Sequence, residues 1–144
     1  IRAMRRLLPL LLCLGLGACA VPVSGPAVGS DGLPECASLP AEAVETIGTI
    51  TAGGPFPYPD NDDKRFGNYE GVLPSEPRDY YREYTVDTPG LGHRGARRIV
   101  TGGSLSIDDW FYTDDHYETF CRITDAQLAD AQEKAGEKAE VPHV

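Results

Sequence analysis

Two hydrophobic rhythms run along this chain. From residue 81 onward apolar and polar positions alternate. Tyr81-Arg82-Glu83-Tyr84-Thr85-Val86, Ala96-Arg97-Arg98-Ile99-Val100-Thr101, the Trp110-Phe111-Tyr112 run and residues 116–124 each read as a strand, being rich in aromatic and β-branched side chains. A period of two puts Glu83 and Thr85 on one face and Arg82, Tyr84 and Val86 on the other; it likewise separates Thr119, Cys121 and Ile123 from Phe120 and Arg122. Before residue 55 the rhythm is helical. Ala43, Ile47 and Ile50, with Val44, recur every three or four positions; Ser38 is placed to cap, Pro40 suits a first turn, and Glu42 lies near the positive helix end. This predicts one helix over about residues 40–51, stopped by Gly53-Gly54-Pro55. Residues 33–38 are expected to hold a short first strand carrying Cys36. One amphipathic helix ahead of several alternating strands implies an α+β fold, with one N-terminal helix packed on a twisted antiparallel β-sheet.

The two ends differ from this middle. Arg2, Arg5 and Arg6 precede an apolar run too short for a comfortable membrane span, so residues 1–19 read as a signal peptide. Two cleavages fit its end. Leu16-Gly17-Ala18-Cys19 resembles a lipobox, which would lipidate Cys19 and anchor the protein outside the cell membrane of a bacterium; Ala18-Cys19-Ala20 fits ordinary A-x-A cleavage and free secretion. Residues 20–32, rich in Pro, Gly, Val and Ser, read as a flexible linker, residues 33–125 as the folded domain, and residues 126–144 as a polar tail, helical or disordered. No internal repeat is visible.

Charge narrows the partners. The formal net charge is −9, and loss of the leader's three arginines makes the remainder more acidic still. That excludes tight, charge-driven nucleic-acid binding by the surface as a whole, but not brief contact through a local basic cluster. Export permits disulfides. With Cys13 in the leader and Cys19 at its end, Cys36 and Cys121 remain, 85 positions apart. A bridge of that span is worth about 4 kcal/mol in the loop-entropy model. Neither cysteine has a second ligand at metal-site spacing, and Asp60, Asp62 and Asp63 lack the pattern of a calcium loop, so no metal and no cofactor is expected.

Candidate chemistry gathers at residues 80–102. Two strands flank a Pro-Gly-rich loop, with Glu83 on the first and Arg94, Arg97 and Arg98 on or before the second; His116 follows fourteen residues later. A carboxylate, guanidiniums and an imidazole can take a proton from a hydroxyl, hold a phosphate and return a proton to a leaving group. The same residues fit equally well a cross-strand ion-pair ladder on a solvated face. Arg97, one residue from Arg98, is expected to face the other way.

Four stretches, in order, settle that balance. Phe66-Gly-Asn-Tyr-Glu-Gly-Val-Leu-Pro74, Tyr84-Thr-Val-Asp-Thr-Pro-Gly90, Arg94-Gly-Ala-Arg-Arg-Ile-Val-Thr-Gly102 and Asp115-His-Tyr-Glu-Thr-Phe120 resemble the guanyl-specific microbial ribonucleases, with Gly54-Pro-Phe-Pro-Tyr58 as a further match. The resemblance covers residues 33–125. It implies an extracytoplasmic endoribonuclease that cleaves single-stranded RNA after guanosine through a 2′,3′-cyclic phosphate. Glu83 matches the family's general base, His116 its general acid, and Arg94 and Arg98 its phosphate-holding arginines. Glu70 matches the reader of guanine, the main chain of Gly67, Asn68 and Tyr69 the loop around the base, and Phe66 and Tyr117 aromatic residues lining the site. It further implies a monomer and, as a partner, a barstar-like acidic inhibitor protein. Two departures stand out: Tyr69 replaces a frequent arginine, and Cys121 lies several residues before the family's second cysteine. The other reading is a non-catalytic cell-surface lipoprotein that kept the fold for binding.

Overall fold

The computed structural model describes Gly15, Gly17 and residues 28–140. The leader's charged and apolar runs, Cys19 and most of the linker lie outside the described residues. Seven elements follow one another: α1 (Ala41–Ala52), β1 (Lys64–Arg65), β2 (Tyr81–Thr85), β3 (Arg98–Gly102), β4 (Asp109–Thr113), β5 (Cys121–Arg122) and α2 (Asp125–Glu140). The strands form a five-stranded antiparallel sheet in sequence order, as short connections between alternating segments dictate. The α+β class is as the pattern predicts.

The sheet is buried on both faces. On one, Tyr84, Val86, Ile99, Trp110, Tyr112 and Ile123 meet Ala43, Ile47 and Ile50 of α1. On the other, Tyr81, Val100, Phe111 and Phe120 form a second cluster with Leu33 and Leu73, and Phe66 and Tyr117 pack at its margin. Cys36 and Cys121 are joined, with Cα atoms 4.9 Å apart and a sequence separation of 85. The earlier position of Cys121 therefore still permits a bridge. It ties the chain ahead of α1 to β5.

Three local expectations are corrected. Ser38 does not cap α1: Pro40 occupies the N-cap with no side-chain cap bond, while Gly53 closes the C-terminus at φ 78, a left-handed conformation that favours glycine. Residues 33–38 make no ladder strand. Cys36 N donates to Arg122 O and Arg122 N to Pro34 O, an isolated parallel bridge beside β5. Residues 116–119 do not extend β5 but form a turn, because Thr113 and Asp115 offer their backbone N–H groups local acceptors. The acidic-rich tail is helical over Asp125–Glu140 and packs on α1, burying Ala131 and bringing Ala135 against Gly48.

Candidate functional site

Register assembles the site on the face opposite α1. Residues paired across antiparallel strands share a face. Glu83 pairs with Val100 and Lys64, Thr85 with Arg98, and Arg98 with Thr113, so Glu83, Thr85, Arg98 and Thr113 line one surface. Arg97 points to the other side and lies 3.6 Å from Glu42 of α1. The alternation that separates the two arginines is therefore realised.

Arg98 is nearly fully buried, at 2% exposure. Its Nη1 donates to the carbonyls of Gly95 (2.9 Å) and Arg97 (2.7 Å), which fixes the guanidinium. Its Nε has no partner in the free protein. A buried, unpaired cationic donor is costly and rare, and an external acceptor would satisfy it. Arg94 comes from the loop before β3 and donates to the Thr85 hydroxyl at 3.1 Å. Thr85 is in turn held by Asp62, whose buried carboxylate accepts from Thr85 N at 2.7 Å and from Tyr58 N at 3.2 Å. Asp62, which in sequence reads only as one of three loop acids, is thus a structural anchor beneath the arginines.

Opposite charges do not close into the expected hairpin ion pair. Among the described residues no guanidinium lies within 4.0 Å of Glu83. The Tyr117 hydroxyl instead donates a hydrogen bond to Glu83 Oε2. Burial and that bond, with the charge of Glu83, push the Tyr117 hydroxyl pKa well up, while Arg98 pulls the other way, so Tyr117 is neutral. The sequence marks Tyr117 as an aromatic wall; its hydroxyl is the part that reaches the carboxylate.

His116 and Tyr117 sit in the turn after β4, both left-handed, at φ 57 and 74. Non-glycine residues are uncommon there, and such strain persists only when neighbours over-determine it. Here they do. Thr113 Oγ1 accepts from Tyr117 N (3.2 Å), Asp115 accepts from Thr119 N (2.9 Å) and from Thr113 Oγ1 (2.8 Å), and His116 N donates to Ala96 O (3.1 Å). Partial burial pulls the Asp115 pKa up, but the hydrogen bonds from Thr119 and Thr113 outweigh it and leave the carboxyl below its ordinary value. Asp115 thus holds the turn. The exposed imidazole stands 4.9 Å from the Tyr117 ring, beside the Glu83–Tyr117 contact.

Residues 66–74 form the second part. Asn68 is left-handed at φ 49, and its side chain brackets the loop: Oδ1 accepts from Leu73 N (3.1 Å) and Nδ2 donates to Leu73 O (3.0 Å). Phe66 packs on Tyr117 with ring centroids 4.8 Å apart, which couples this loop to the Glu83 face. Glu70 projects into solvent at the turn. Tyr69 is 87% exposed, takes a hydrogen bond from Arg65 Nη2 at 2.9 Å, and lies so close over Gly67 that a Cβ there would meet its ring at 2.4 Å. A carboxylate, a neutral phenol, a buried guanidinium with an unpaired Nε and an exposed imidazole beside a fixed acceptor-bearing loop can bind a phosphodiester and exchange protons across it. Among the described residues no group of His, Cys, Asp or Glu is arranged to hold a metal, and no helix is long and apolar enough to cross a membrane.

The chain is similar to known proteins in sequence and in fold. A family model described as ribonuclease matches residues 26–124. Guanyl-specific ribonuclease St of Saccharopolyspora erythraea is 51% identical over 88 residues, covering 61% of this chain and 82% of that protein. Guanyl-specific ribonuclease Sa of Kitasatospora aureofaciens is 50% identical over 86 residues, covering 60% and 86%. A solved structure of ribonuclease Sa2 with mononucleotides superposes with a TM-score of 0.57 at 42% identity, over 61% of this chain and 88% of that one. The Sa2 complex with guanosine-2′-cyclophosphate gives a TM-score of 0.55 at 42% identity, over 60% and 88%. The chain therefore belongs to the guanyl-specific microbial ribonuclease family.

Proposed function

We propose that this protein is an extracytoplasmic, guanine-preferring endoribonuclease acting on single-stranded RNA, with Glu83 as base and His116 as acid. RNA carries its own nucleophile, the 2′-hydroxyl, so no metal-bound water is needed. Glu83 takes the 2′-hydroxyl proton, the 2′-oxygen attacks phosphorus, and the bond to the 5′-oxygen breaks as His116 protonates that oxygen. Arg94 and Arg98 neutralise the charge that grows on the phosphoryl oxygens, and planar guanidiniums suit that task better than ammonium groups. The products are a 2′,3′-cyclic phosphate and a 5′-hydroxyl; water then opens the ring with the proton roles reversed, giving a 3′-phosphate. DNA lacks the nucleophile and is inert.

The unpartnered Nε of buried Arg98, on the same sheet face as Glu83, carries this reading. A surface ion-pair ladder has no use for a desolvated donor left empty. Glu70 reads guanine, since one carboxylate accepts from both N1–H and the N2 amino group, and the main chain of residues 67–69 serves O6. Adenine offers the wrong pattern and leaves the carboxylate unpaired, a loss of about 1–3 kcal/mol. The matched relatives, guanyl-specific by name, support the same preference. The Cys36–Cys121 bridge supports an oxidising, extracytoplasmic location; mass spectrometry of the mature N-terminus distinguishes a lipid on Cys19 from free secretion.

Cleavage of the dinucleotides GpN and ApN, with EDTA present, tests the assignment. GpN is expected to be cut far faster, and Glu83→Gln and His116→Ala to lower kcat by about 10²–10⁴-fold with unchanged folding. Equal cleavage of GpN and ApN removes Glu70 as reader. No cleavage by the folded protein leaves only the binding-module reading.

A further inference from the structure

The sequence holds 13 lysines and arginines against 22 acids. On so acidic a chain a cation readily finds a carboxylate. Among the described residues, Arg82, Arg97, Arg122, Lys134 and Lys138 each lie within 4.0 Å of one. Lys64, Arg65, Arg78, Arg94 and Arg98 do not, and all five border the face or the loop described above. The proposed reaction accounts for Arg94 and Arg98. Arg65 is engaged with Tyr69 and, at 3.5 Å, with the carbonyl of Arg78. Lys64 makes no side-chain hydrogen bond among the described residues, is exposed, and stands on edge strand β1.

Register places it. Lys64 pairs with Glu83, so the two side chains share the site face. Along that face the order is fixed. Phe66, whose N–H donates to Tyr81 O at 2.9 Å, marks the base-loop end; Lys64 and Glu83 come next; Thr85 and Arg98 mark the phosphate end. Guanine in the 66–70 loop and the scissile phosphate at Arg98 set the guanosine ribose over Glu83. Base and 3′-phosphate then occupy two of the ribose's exits. The inner side is closed by Val100 and Arg98, both buried, so the 5′-oxygen leaves over the outer edge, which is β1.

We propose that Lys64 forms a further phosphate subsite, taking the RNA phosphate on the 5′ side of the recognised guanosine. This rests on the proposed ribonuclease reading. An exposed ammonium–phosphate contact is modest and salt-sensitive, which suits a residue that guides a longer chain without holding product.

The test compares GpN with pGpN, which differs only by the 5′-phosphate, in the full chain and in Lys64→Gln and Lys64→Arg. In the unaltered protein pGpN is expected to show a kcat/KM about threefold above GpN at low salt, converging as salt is raised. Lys64→Gln brings the ratio to one and Lys64→Arg keeps it. Calorimetric binding of guanosine 3′,5′-bisphosphate against guanosine 3′-phosphate gives the same comparison without turnover. An absent 5′-phosphate gain in the unaltered protein overturns the subsite, and so does a gain that survives Lys64→Gln. So too does a loss in Lys64→Gln that falls equally on GpN and pGpN, which moves Lys64 to the scissile phosphate. If GpN is not cleaved at all, the ribonuclease reading fails, while the binding comparison still decides the subsite.

Discussion

The Tyr117 hydroxyl sits beside Glu83, the proposed general base, and near Arg98, a proposed phosphate holder. It donates to Glu83 and feels the opposing charge of Arg98. In the free protein it satisfies the carboxylate that the arginines leave alone. When a phosphodiester enters, a neutral phenol at this point can turn its donor to a phosphoryl oxygen without carrying a charge of its own. Tyr117→Phe keeps the ring against Phe66 and removes only that donor. It is expected to lower kcat by roughly a hundredfold, the lower end of the range for losing a preorganised donor, with a thermal midpoint within a few degrees of the parent. A variant as active as the parent would reduce Tyr117 to a wall of the site.

The two helices pose a question of element packing. Gly48 lies inside α1, where replacing glycine by alanine ordinarily stabilises by about 0.8–1 kcal/mol. Here a Cβ on residue 48 would come within 2.8 Å of the Ala135 Cβ of α2. That contact forces α2 outward, and overpacking of this kind costs about 1–3 kcal/mol. The steric loss wins, so Gly48→Ala is expected to destabilise slightly. In an Ala135→Gly background the clash disappears and the helix preference returns, so the same substitution should stabilise relative to that background. A urea-denaturation double-mutant cycle reads both; additive effects would mean that α2 does not press on α1. α2 also begins at Asp125, one residue past the matched family region.

For the whole molecule, tyrosines govern the alkaline limit. The hydrogen bond to Asp109, with burial, raises the Tyr80 pKa to about 12; burial and the hydrogen bond to Asp63 raise that of Tyr84 to about 12. Tyr81, buried, and Tyr117 are also raised. Each folded-state value lies above the ordinary 10.0, so above pH 10 the unfolded chain binds fewer protons than the folded one. The stabilisation is complete below about pH 10 and is lost as the pH climbs toward about 12. Asp115 works in the opposite sense: lowered in the fold, it stabilises at neutral pH and loses that contribution as the pH falls below about 4. Urea midpoints measured from neutral to alkaline pH are expected to fall steadily above about pH 10, and less steeply in Tyr84→Phe. A flat profile there would contradict the buried-phenol account.

The sequence by itself determined the class of fold and which strand face each candidate residue takes. Alternation assigned Glu83 and Thr85 to one face and separated Arg97 from Arg98, because side-chain direction along a strand follows from backbone geometry alone. Helical spacing placed α1 to within a residue at each end, because its apolar stripe and Gly53 are local signals. Only the tertiary structure decided which partners those residues took. Nothing local says that Glu83 turns to a tyrosine 34 residues on rather than to an arginine, that Asp62 leaves its acidic run to hold Thr85, or that His116 sits in a strained turn instead of a strand. Those outcomes depend on register between distant strands, on desolvation of Arg98, and on hydrogen bonds that exist only once Thr113 and Asp115 are positioned by the finished sheet. Lys64 is the same case: in sequence one cation beside an acidic run, in the fold the edge neighbour of Glu83.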